Sequence, residues 1–102
     1  VGVNENSGMA ILSAATSAGL SDLYITTVDA TAENMAAIRD GKVAIGVSQD
    51  PYKMGYTAVE QAIKWCQGEE TDEFIEVPVE YMDKDNIQDF IDREKGYGVE
   101  VE

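Results

Sequence analysis

Three short apolar runs in the first half of the chain each end on a small planar polar residue, and each is followed by a stretch with helical spacing. VGV (1–3) stops at Asn4, LYITTV (23–28) at Asp29, and VAIGV (43–47), through Ser48, at Gln49. Short runs rich in β-branched residues and bounded by turn formers read as strands buried on both faces, and strands alternating with helices read as consecutive βα units. The predicted fold class is therefore α/β, a three-layer α/β/α arrangement with a parallel sheet, of which 102 residues supply a part. Right-handed crossovers bring Asn4, Asp29 and Gln49 to one edge, at the carboxyl ends of the strands, where open sheets bind their ligands.

Asn and Gln each offer a donor and an acceptor, whereas Asp offers acceptors only, so the trio suits a neutral polyhydroxylated ligand such as a sugar better than a phosphate. Each residue also has a plainer reading. Asn4 is equally a helix cap or a turn residue. Asp29 has a competitor for capping in Thr31, which favours a ligand role for the carboxylate. Gln49 can serve simply to satisfy backbone where the chain crosses. The ligand reading rests on the recurrence of all three at equivalent places.

Composition narrows the chemistry. There is no His, which removes Ser-His-Asp and Cys-His activation and most transition-metal sites. The single cysteine, Cys66, can form no internal disulfide and falls on the apolar stripe of a predicted helix, where it acts as a small hydrophobe. No catalytic residue, metal ligand or cofactor is assigned. Of the net charge of −13, most sits in residues 69–102, with thirteen acids against three bases. Such a surface repels phosphate backbones, so no nucleic acid is expected to bind here, and the acids read as a solvated face. There is no glycine-rich phosphate loop, and DKDNIQDFID lacks the sixth-position Gly and the final Glu of a calcium loop.

The first helix is expected to be capped by Asn6 or Ser7, to bury Ile11, Ala14, Ala15 and Ala18, and to end at Gly19. Thr31 caps a second, running to Asp40, with Met35 and Ile38 on its buried edge and Gly41 as its stop. Asp50 and Pro51 open a third, with Val59, Ala62, Ile63 and Cys66 along one face and Gly68 at its close. FIEVPV (74–79) alternates like a strand, which Pro78 pushes to an edge or a bend. Residues 83–92 predict a short helix with Ile87, Phe90 and Ile91 inside, and the final GYGVEVE reads as a loose tail or the start of another strand. Tyr52, Tyr56 and Trp65 at helical spacing cover a core or an interface in preference to stacking on a sugar.

The succession VNEN, TVDAT, AAIRDGKVAIGVSQDPYKMG, KWCQGE and VPVEYMDKDNI resembles the carboxyl-terminal part of sugar-binding periplasmic proteins of the ribose-binding type, over about residues 1–91. In that family two α/β lobes close over a monosaccharide and hand it to an ABC permease. The resemblance implies that Asn4, Asp29 and Gln49 are sugar-hydroxyl ligands, and that Val28 occupies a position where an aromatic often stacks on the sugar. Thr27 departs from the pattern too, since Gly often stands two residues before the strand-end Asp. Also implied are an extracytoplasmic location and a division in which residues 1–49 and about 80–95 form the ligand edge of the carboxyl-terminal lobe. Residues 50–79 then reach the other lobe. A chain that opens at Val1 directly on an apolar strand is expected to lack the amino-terminal half of the cleft. Two other functions fit the same fold: the effector core of a LacI-type transcription regulator, and an extracytoplasmic sensor domain. An enzyme ranks last, for want of a nucleophile–base pair.

Overall fold

A computed structural model describes all 102 residues. In chain order the elements are α1 (Glu5–Ser17), β1 (Thr26–Val28), α2 (Ala32–Arg39), β2 (Ile45–Ser48), α3 (Pro51–Cys66), β3 (Glu80–Met82) and α4 (Ile87–Gly96). The sheet order is β1-β2-β3. β1 and β2 are parallel, with Thr27 opposite Gly46, as the βα succession predicts. β3 is antiparallel to β2, pairing Met82 with Gly46, so the sheet is mixed instead of wholly parallel. The first apolar run forms no ladder of its own. Gly2 N donates to Thr26 O at 2.8 Å, which sets the run beside β1, but Val1 and Val3 are exposed instead of buried.

Strand alternation sends Ile25 and Thr27 to one face, together with Gly46 and Met82, and all four are buried. α1 packs on β1, α2 on β2, and α4 on α2. The core between these layers is built from Ala15, Ile25, Met35, Ala37, Ile38, Val43, Met82, Ile87 and Phe90. Thr26, Val28, Ile45 and Val47 face the other way and stay half-buried, so the chain supplies two of the three α/β/α layers. Gly46 is what lets α2 lie so close: a Cβ there meets both Ile38 Cδ1 and Met82 Cε at 2.8 Å.

Helix ends follow the capping residues. Thr31 Oγ1 accepts from Asn34 N, Asp50 Oδ1 accepts from Lys53 N at 3.0 Å, and Gly19, Gly41 and Gly68 follow their helices with positive φ. At α1 the cap is Asn4, two or three residues earlier than expected. Its Oδ1 accepts from Ser7 N, while Ser7 Oγ lies 3.2 Å from Asn4 N, a reciprocal capping box.

Three further expectations give way near the end of the chain. The ladder forms at 80–82 and not at 74–79, because Pro78 has no N–H to offer. The last helix starts later, at Ile87, because Asp83 and Asn86 fold into a side-chain-bonded turn: Asp83 Oδ1 accepts from Asp85 N and Asn86 N, and Asn86 Oδ1 from Asp83 N. The terminal residues are neither loose nor a strand, since Val99 and Val101 pack on the core. α4 is tied to β3 by Arg93, whose Nη1 donates to Glu80 Oε2 at 2.6 Å and whose Nε lies 3.4 Å from Glu94 Oε1. Burial works against the Arg93 charge, but the hydrogen bond and charge of Glu80, with Glu94 behind them, outweigh it and raise the guanidinium pKa.

α3 stands apart from this body and buries none of its residues. Cys66, expected to be buried, is exposed with it. Tyr52 near its start stacks on Tyr97 after α4, with ring centroids 4.0 Å apart, and the chain then projects outward. Residues Asp72, Glu73, Ile75 and Val77 return beside Met54, Thr57, Ala58 and Gln61. The molecule measures 59 × 24 × 19 Å, with a Cα radius of gyration of 16.7 Å. A compact domain of this length has about 13 Å.

Candidate ligand-binding site

Asp29 and Gln49 meet at the carboxyl edge of the parallel pair. Asp29 N donates to Val47 O at 2.8 Å, extending the ladder by one bond beyond β1, and Gln49 follows β2 after Ser48. There Gln49 Nε2 donates to Asp29 Oδ1 at 2.9 Å. The second oxygen, Oδ2, faces Glu5 N at 3.4 Å, in the first turn of α1. The partial positive charge of that helix start favours the carboxylate. Asn4 caps the same turn and is exposed, with its Oδ1 taken by Ser7 N. The capping reading of Asn4 is therefore the one observed, and the cap uses its oxygen while leaving its amide N–H groups free of protein partners.

An ionised carboxylate can accept about four hydrogen bonds. Asp29 uses two within the protein, so its remaining lone pairs, with Gln49 Oε1, are available as acceptors beside the Asn4 donor. A hydroxyl both donates and accepts, so this edge can bind a vicinal diol; it offers a phosphate one free amide and a repelling carboxylate. Val28 is half-buried and, by alternation, faces away from the side on which Thr27 lies. It adjoins the edge as an alkyl surface and makes no side-chain polar contact.

Two residues that sequence reasoning did not place at the site support Asp29 from beneath. Asp29 has φ +83°, a left-handed backbone that costs a non-glycine residue about 1–3 kcal/mol unless its surroundings fix it. Asn34, fully buried on α2, donates from Nδ2 to Asp29 O at 2.6 Å and to Val28 O at 3.4 Å. Its Oδ1 accepts from the buried Thr27 hydroxyl at 2.7 Å. The signal for Asn34 was a polar residue on the apolar stripe, four before Ile38. Thr31 links the same region to α1, its hydroxyl donating to Glu5 Oε1.

The family described as the periplasmic binding protein domain matches residues 1–70. The chain belongs to this family. Among curated relatives, the ribose import binding protein RbsB of Escherichia coli is 35% identical over 66 residues, which are 65% of this chain and 22% of RbsB. Among solved structures, an ABC transporter solute-binding protein of Actinobacillus succinogenes with bound D-allose superposes with a TM-score of 0.81 at 23% identity, over 86% of this chain and 32% of that one. A solute-binding protein of Bacillus halodurans with bound myo-inositol gives a TM-score of 0.78 at 25% identity, over 85% of this chain and 30% of that one. The chain thus spans between about a fifth and a third of the length of these relatives. The periplasmic-binding-protein fold, implied by the family resemblance of these sequence segments, is the fold these superpositions show.

Proposed function

We propose that this chain carries part of the ligand-binding cleft of a solute-binding protein that takes up a monosaccharide-like sugar outside the cytoplasm and delivers it to an ABC permease. The observation that carries this reading is the left-handed Asp29, held between Gln49 Nε2 and the first turn of α1 with acceptor capacity to spare. Asp29 and Gln49 accept from sugar hydroxyls, Asn4 donates to them, and Val28 forms an apolar flank. The family match and RbsB, a ribose import protein, support transport over regulation. Binding without catalysis fits an edge made of a carboxylate and amides, with no nucleophile–base pair.

In this reading residues 1–49 and about 80–95 form the ligand edge of one lobe, and residues 50–79 reach the second. The unburied α3 and its position outside the body support that division. The opposite wall of the cleft then comes from the remainder of the full-length protein. Calorimetric titration of that protein with D-ribose, D-allose and myo-inositol tests the reading. At least one is expected to bind, and binding is expected to fall when Asp29 is replaced. Affinity that is indifferent to Asp29 overturns the assignment.

A further inference from the structure

We infer that Asn34, with Thr27 behind it, is a positioning residue that fixes the strained backbone of Asp29 and thereby aims the ligand-binding carboxylate, an inference that rests on the sugar-binding reading of this edge. The side chain of Asn34 is fully buried and every polar atom has work: Nδ2 bridges the carbonyls of Val28 and Asp29, and Oδ1 accepts from Thr27 Oγ1. Only one orientation of the amide satisfies this pattern, because the two carbonyls can only accept. The bridge joins the two peptide units that flank the Asp29 Cα, so it clamps the residue whose φ is +83°. An aspartate freed from that clamp relaxes toward negative φ, which swings the Cα–Cβ bond and carries the carboxylate away from Gln49 Nε2 and Glu5 N.

Thr27 adds an independent reason to regard the clamp as built in. Its side chain has a use for each branch. The hydroxyl orients Asn34. The methyl occupies space that only a glycine at position 8 of α1 leaves open, since a Cβ on Gly8 falls 2.3 Å from Thr27 Cγ2. α1, β1 and α2 are thereby keyed together directly beneath Asp29. A core whose sole need was volume would fill this place with an aliphatic side chain and spare the cost of burying an amide.

The experiment is a double-mutant cycle on the full-length protein, read by calorimetry with whichever of D-ribose, D-allose or myo-inositol binds it most tightly. Asn34→Leu conserves bulk and removes the clamp, and is expected to weaken binding about tenfold, within the coupling range of residues in one network. Asp29→Gly removes the carboxylate and adopts positive φ freely. In that background Asn34→Leu is expected to change affinity no further. An equal loss in both backgrounds, or no loss in the first, overturns the inference. Should Asn34→Leu fail to fold, Thr27→Val enters the same cycle with a smaller expected loss, because it leaves Asn34 Oδ1 buried without its donor. If Asp29→Gly itself leaves binding intact, the sugar reading falls and not the clamp. A crystal structure of Asn34→Leu without ligand, or of Asn34→Ala if the first does not fold, then decides, because Asp29 remaining at left-handed φ in it overturns the clamp.

Discussion

At the scale of single residues, the site is a carboxylate whose neighbours decide how much it can do. Asp29→Ala in the full-length protein is expected to weaken monosaccharide binding by roughly 2–4 kcal/mol, since charge-assisted bonds to hydroxyls in a desolvated cleft are lost. Alanine is also poorly suited to φ +83°, so Asp29→Asn, which tolerates the left-handed region, separates the charge from the backbone. Gln49→Ala and Asn4→Ala are expected to cost less each, the first by releasing Asp29 Oδ1 and the second partly through the α1 cap. Calorimetry on the four variants gives the order, and an unchanged Asp29→Ala affinity removes the site. Stability has its own test at Gly8. Gly8→Ala drives a Cβ into Thr27 Cγ2 and is expected to cost about 1–3 kcal/mol by overpacking. Adding Thr27→Ser deletes the methyl and keeps the hydroxyl, so it is expected to restore most of the urea midpoint. The meeting of Asp29 and Gln49 at the strand edge was legible in the sequence because a polar residue straight after an apolar strand has few places to go except the strand-end crevice. Asn34 was not, because helical spacing marks a face as buried without saying which polar group on that face has found partners.

At the scale of elements, what could be read in advance was whatever a local interaction decides. Thr31, Asp50 and the glycines after α1, α2 and α3 ended helices as capping chemistry requires, and the parallel pairing of β1 with β2 followed from the helix between them. The failures needed information from elsewhere in the chain. FIEVPV alternates well, yet the ladder to β2 forms from Glu80 onward, where each residue has an N–H and Met82 can enter the core opposite Gly46. The expected third helix was right in extent and wrong in burial, because periodicity reveals an apolar face and not what covers it. The join between β3 and α4 depends on Arg93, which also lies over the Phe90 ring at 4.6 Å from its centroid. Arg93→Leu leaves Glu94, only 6% exposed, without a countercharge. The variant is expected to lose about 1–3 kcal/mol of stability. Urea unfolding checks it, and an unchanged urea midpoint dismisses the clamp at this joint.

At the scale of the whole molecule, the decisive property is the mismatch between a packed body and a projecting arm. α3 carries Tyr56, Val59, Ile63 and Trp65, each between 53% and 71% exposed, and Phe74 on the return segment is 81% exposed. Monomeric proteins rarely leave apolar surface of this kind uncovered, and in the proposed two-lobed arrangement a second lobe covers it. The half-buried outer face of β1 and β2 has the same need. Residues 1–102 prepared alone are therefore expected to self-associate through α3 and to bind D-ribose, D-allose and myo-inositol very weakly or not at all. The weak binding has a separate cause: two-lobed receptors gain affinity by enclosing the ligand, and in the proposed reading Asp29, Gln49 and Asn4 supply one wall. Sedimentation velocity tests the first expectation, with Tyr56→Ser and Ile63→Ser together expected to shift the chain toward monomer, since both line the apolar groove on α3. Sugar titration of the same sample tests the second. A well-folded monomer of the unaltered chain with micromolar affinity contradicts both, and shows that α3 needs no second lobe and that one wall suffices for the sugar.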